Sequence, residues 1–256
     1  ADEPTPTLPG TPPTRPTANV TIAPTIAVAV DPPVTVPPII GTPVVLTCPF
    51  GGDLPGNATS METLLVDLDD DGQSDTVTSY FVALGDSAGW RLRAELAGGP
   101  TSDVPIEGVS GVGVAQVLGG VQVDFDIADP DTFERELLVR AGANASGVNL
   151  AVFGIDASGC LFRFEDGAGD DLVLPVHGSI GVKSGVMCDN IDGTAFLARL
   201  EAEHTQDSHY AATWTALDRD GDALVDGALL AYDIDAGTQA GWLDQFGDVN
   251  CAGIEL

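Results

Sequence analysis

Positive charge is scarce in this chain. Nine Lys and Arg residues face 39 Asp and Glu, a formal net charge of −30 over 256 residues. A surface so acidic repels polyanions at ordinary salt, which excludes nucleic acid and anionic lipid as partners and favours cations. Lysine is reduced to Lys183, a bias that genomic base composition and adaptation to salt both produce. Long apolar runs are absent too. None reaches the roughly 18 residues that span a bilayer, so no transmembrane segment is expected. Nor does a charged stretch precede an apolar one as in a secretory signal. The opening ADEPTPTLPGTPPTRPT reads instead as a mature N-terminus whose signal has been removed.

Metal and catalytic motifs are thin. Cys48, Cys160, Cys188 and Cys251 are widely spread with no CxxC spacing, which argues against zinc. An even count beside a Pro/Thr-rich tail suits an exported protein with two disulfides. Of the three possible connectivities, Cys160 with Cys188 and Cys48 with Cys251 is the expected one: the first closes a short loop, and the second clasps the two ends of the domain. His177, His204 and His209 have neither a helical i, i+4 spacing nor an HExxH arrangement, so HTQDSH is read as a surface loop. GSIGVKSG lacks the spacing of a phosphate-binding loop. FVALGDSAG resembles the first block of GDSL-type esterases, with Ser87 in the nucleophile position. No DxxH follows near the C-terminus and WRLRAEL after it is strand-like, so GDSAG is read as a turn. Trp90, Trp214 and Trp242 are read as core residues and not as platforms for sugars.

Composition divides the chain. Residues 1–43 hold most of the 18 prolines, interleaved with Thr, Val and Ile. Proline fixes φ and lacks an amide donor, so an extended spacer or stalk is expected here. Asn19, Asn57 and Asn144 begin N-x-S/T sequons. Residues 44–256 change to short runs such as METLLVDL, DTVTSYFVAL, WRLRAEL, VNLAVFGI and HYAATWTALD, separated by Gly/Asp turns about every ten residues. That spacing predicts an all-β domain of antiparallel meander sheets. The best helix candidates are GVGVAQVL and AGWLDQF.

Two segments repeat one pattern of strand, Asp-rich loop and strand: LLVDLDDDGQSDTVTSYFV and TWTALDRDGDALVDGALLAYDI. In the first, Asp67, Asp69, Asp71 and Asp75 occupy positions 1, 3, 5 and 9, with Gly72 at position 6. Alternate residues turn oxygens inward, Gly permits the sharp turn, a later carboxylate closes the shell, and the carbonyl of Gln73 adds a neutral ligand. The expected cofactor is Ca²⁺; the competing reading is a solvated acidic turn. A twelve-residue EF-hand would end in Glu where Thr78 stands. The second loop keeps the spacing with Asp218, Asp220, Asp222 and Asp226 but has Ala223 at position 6, and its RDGD suits equally a metal site or a two-residue hairpin. In a weaker third copy, GGVQVDFDIADPDTFERELLVRAG, Asp124 and Asp126 are followed by Ala128, and the metal is expected to be lost.

The VDLDDDGQSDTV stretch resembles the D-x-D-x-D-G-x-x-D element of the FG-GAP/VCBS repeat family, which resembles the calcium-binding blades of integrin α-type propellers. More loosely, the order of GGVQVDFDI, LLVRAGANAS, FGIDASGCLF and LPVHGSIG before another Cys resembles exported actinobacterial proteins of unknown role. The resemblance implies a secreted or cell-surface, calcium-stabilised, partial or small propeller-like β domain, and no particular activity. The expected function is therefore non-enzymatic, adhesion to or binding of a protein or glycan ligand, with oligomeric state open. Its rivals are a secreted hydrolase with a loop-built site and a purely structural surface component.

Overall fold

The computed structural model describes Cys48 and residues 51–69, 71–83, 89–106, 121–123, 136–144, 147–179, 181–191 and 194–251. The expected stalk, the helix candidate GVGVAQVL, the third Asp loop and most of GDSAG lie outside these residues, as does the 43/44 boundary. No helix among the described residues is long and apolar enough to cross a membrane.

The domain is all-β, as expected. Four antiparallel strands, β1 (Ala58–Val66), β2 (Asp75–Val82), β3 (Gly89–Glu95) and β4 (Thr101–Pro105), form a meander in that order. The other strands are β5 (Val121–Val123), β6 (Glu136–Asn144), β7 (Gly147–Ile155), β8 (Leu161–Arg163), β9 (Leu174–Gly178), β10 (Val182–Ile191), β11 (Thr194–Gln206), β12 (His209–Asp220), β13 (Ala223–Asp235) and β14 (Val249–Asn250). They make one sheet of order β13-β12-β11-β10-β9-β7-β6-β5, with β8 on β7 and β14 on β10. The meander has the four strands of a single propeller blade, whereas the larger sheet runs on without division into blades. AGWLDQF falls in α1 (Ala236–Gln245) and the residue after it, capped by the Asp235 carboxylate on the Gly237 N–H.

Successive side chains in a strand face opposite sides. In β6 and β7 this sends Leu137, Val139, Ala151 and Phe153 toward Val77, Leu92 and Ala94 of the meander. Leu138, Leu150 and Val152 go to the other side, against Phe164, Leu172 and Leu174. Both faces are buried, which is why ELLVRAG and VNLAVFGI read as nearly continuous apolar runs. A third cluster seats Leu243 and Phe246, from α1 and its end, on Leu200, Ala212 and Ile234. Trp90 belongs to the first cluster and is buried, as its core reading required, while Trp214 and Trp242 flank the third.

The expected disulfide pairing is wrong. Cys48 bonds Cys160, and Cys188 bonds Cys251. The reason is sheet order. Parallel pairing of β14 with β10 sets Val249 beside Val186 and brings Cys251 to Cys188, leaving Cys160, in the turn between β7 and β8, to meet Cys48. Two disulfides fit an oxidising compartment.

Candidate metal site

The β1–β2 connection begins like a strand. Val66 and Leu68 both turn into the first core cluster, and the alternation carries Asp67 and Asp69 to the opposite side. Gly72 then bends the chain with φ of +83°, a conformation that costs glycine least. The amides of the bend fold onto the carboxylates: Gly72 N–H donates to Asp67 Oδ2 at 3.1 Å, Asp71 N–H to Asp69 Oδ1 at 3.3 Å, and Gln73 N–H to Asp71 Oδ1 at 2.7 Å. One carboxylate oxygen from each of Asp67, Asp69 and Asp71 lies within 4.8 Å of the others. Calcium binds oxygen at about 2.3–2.6 Å, so ligands around one ion sit at most about 5 Å apart. The triad can hold a metal ion.

Its electrostatics point the same way. Burial, then the charges of Asp75, Asp71 and Asp67, push the Asp69 carboxyl above its ordinary range, against a lowering hydrogen bond from the Asp71 amide. A cation among these oxygens relieves that repulsion. The donor set is all oxygen, which suits a hard divalent ion.

Asp75 is not a member of the triad, although its charge acts on Asp69. It is 1 % exposed, with Oδ2 accepting from Leu68 N–H at 2.7 Å and Oδ1 from Ala97 N–H at 2.8 Å. The carboxylate thus ties the loop to its own base and to the turn between β3 and β4. Gln73, expected to offer a carbonyl, also donates Nε2 to Asp71 Oδ2 at 2.7 Å. The amides of Leu68 and Ala97 are the partners that spacing alone did not reveal. The alternation V-D-L-D was the available signal for Leu68; nothing local pointed to Ala97.

The second loop folds differently. Asp220 pairs with Ala223 across a two-residue turn in which Gly221 takes φ of +64°, the geometry of a tight hairpin. Asp218 lies against Gly227, where a Cβ would meet its Oδ2 at 2.3 Å. Asp226 pairs with Arg199 at 3.1 Å, at a cleft of about 310 Å³ floored by Leu172, Leu217 and Leu224. The carbonyl of Asp222 accepts from Glu165 N–H. Asp218, Asp220, Asp222 and Asp226 form no metal-holding group among the described residues.

HTQDSH closes the β11–β12 hairpin. Gln206 pairs with His209 across Asp207 and Ser208, His204 Nε2 lies 2.8 Å from the Asp207 carbonyl, and Asp233 holds the His209 imidazole above its usual pKa through a hydrogen bond.

No protein-family description, curated protein or solved structure matches the chain. On its own geometry it is a disulfide-bonded all-β domain with, among the described residues, one carboxylate triad able to hold a metal ion.

Proposed function

We propose that this is an exported, non-enzymatic, calcium-binding β domain of FG-GAP/VCBS type that acts in cell-surface adhesion or ligand binding. The observation that carries the reading is the convergence of Asp67, Asp69 and Asp71 on one small volume, on a loop whose backbone is pinned by the buried Asp75. The two disulfides and the strongly acidic surface support an extracellular setting rich in cations. Ligation would use the three carboxylates, loop carbonyls such as that of Gln73, and water. Affinity is expected on the order of 10⁻⁴ to 10⁻³ M, the range of extracellular modules. Titration calorimetry tests it directly. One equivalent of Ca²⁺ bound, with a melting temperature that rises in calcium and falls in EDTA, is the expected result; no heat and no shift would reject the reading.

A further inference from the structure

The disulfides carry an inference that does not depend on what the acidic loop binds. They divide the domain into two covalent rings in series. The first closes across 112 positions, Cys48 to Cys160, and contains the whole β1–β4 meander, the Asp67–Asp75 loop, β5, β6 and β7. The second closes across 63 positions, Cys188 to Cys251, and contains β11, β12, β13, α1 and β14. Tension applied between a point before Cys48 and a point after Cys251 therefore has a short covalent path. It enters at Cys48, crosses to Cys160, follows the backbone to Cys188, and leaves through Cys251.

We propose that the domain is a load-bearing link, in which the disulfides confine extension under tension to the stretch from Cys160 to Cys188. That stretch is 28 positions long (188 − 160), and its own strands are well embedded. β9 is paired on both sides, with β7 and with β10, and β10 is paired with β9, β11 and β14. Phe164, Leu172 and Leu174 from the same stretch are buried in the second core cluster. The candidate cation loop and the long β11–β13 strands sit inside closed rings, so pulling cannot draw them out into extended chain. On the surface role proposed above, this separation keeps the binding loops off the force path. The pairing expected from sequence, Cys48 with Cys251, would have carried force across one bond and left nothing in the domain extensible.

Single-molecule pulling of the full chain, with handles attached before Cys48 and after Cys251, tests the proposal. A fully extended residue spans at most about 3.6 Å. The oxidised domain should release at most about 100 Å of contour length on complete unfolding. Reductant should free the 203 positions between Cys48 and Cys251 (251 − 48), about 700 Å. Replacing one ring at a time locates the path. Cys48→Ala with Cys160→Ala opens 140 positions (188 − 48), about 500 Å. Cys188→Ala with Cys251→Ala opens 91 positions (251 − 160), about 330 Å. Releases beyond about 200 Å from the oxidised chain would overturn the proposal. So would no release at all at forces that unfold the reduced chain, since that result belongs to a Cys48–Cys251 bond. If either double variant fails to fold, the oxidised and reduced chains still give opposite predictions.

Discussion

The two acidic loops carry the same D-x-D-x-D…D spacing and fold into different objects. In the first, eight residues separate the paired positions Val66 and Asp75, and Gly72 lets the chain curl so that three carboxylates converge. In the second, pairing continues to Asp220 and Ala223 and only two residues make the turn. Acids two apart on a strand lie on one face but stand about 6.6 Å apart along it. The same spacing therefore gathers charges where the backbone curls and spreads them where it runs straight. The loops differ in where the turning glycine stands, Gly72 at position six of the first and Gly221 at position four of the second. Gly72 allows the curl, whereas Ala223, at position six of the second, takes its place in the ladder.

The strongest challenge to this contrast is Asp75→Ala. It removes a buried anion that holds two backbone amides, Leu68 and Ala97, and hydrogen bonds to charged groups contribute roughly 1.5–3 kcal/mol each. A loss of about 3–5 kcal/mol is expected already in EDTA, and no smaller in calcium; chemical denaturation in both buffers reads it. Asp69→Ala is expected to behave oppositely. At about 10 mM calcium, roughly ten to a hundred times the expected dissociation constant, it should forfeit about 1.4–2.7 kcal/mol of ligand stabilisation and cost little in EDTA. An equal cost in both buffers would make the first loop an acidic turn like the second.

The glycines sharpen the comparison. Gly72→Ala and Gly221→Ala both place a side chain at positive φ and should each cost about 1 kcal/mol, but only Gly72→Ala should weaken calcium binding in calorimetry. The smallest effect is expected from Asp220→Asn. An exposed hairpin acid outside a metal shell contributes within about 0.5 kcal/mol, and the binding isotherm should be unchanged.

Much of this molecule is legible in the residues. Runs such as DTVTSYFV, VNLAVFGI and HYAATWTALD are strands because their β-branched and aromatic residues alternate, or crowd, as sheet burial requires. AGWLDQF was legible as helix because Leu243 and Phe246 recur at helical spacing. β10 was less so. VKSGVMCDNI has little apolar pattern, and Gly185 is there because the backbone of Asp248 approaches so closely that a Cβ would meet its carbonyl oxygen at 2.6 Å. That approach is made by residues more than sixty positions away, as is the β14 pairing that fixes the Cys188 bond. Local pattern holds no record of such a partner. The triad was legible because its three members are neighbours in sequence; the role of Asp75 was not, because half of it lies at Ala97.

The parallel pairing of β14 with β10 also sets a timetable. A chain that enters an oxidising compartment N-terminus first begins to fold, and to form disulfides, from that side. Cys48 and Cys160 can meet once β7 and β8 are out, with the meander already able to pack on β6 and β7. Cys188 has to wait for Val249 to Cys251. Until then part of the β10 edge stays unpaired and Cys188 stays a reduced thiol in a chain that already holds the Cys48–Cys160 bond, so thiol–disulfide exchange could capture it. The last few residues of the described chain therefore act as a latch, and a truncation just before Val249 would leave a protein whose N-terminal half is oxidised and whose other half has no way to close.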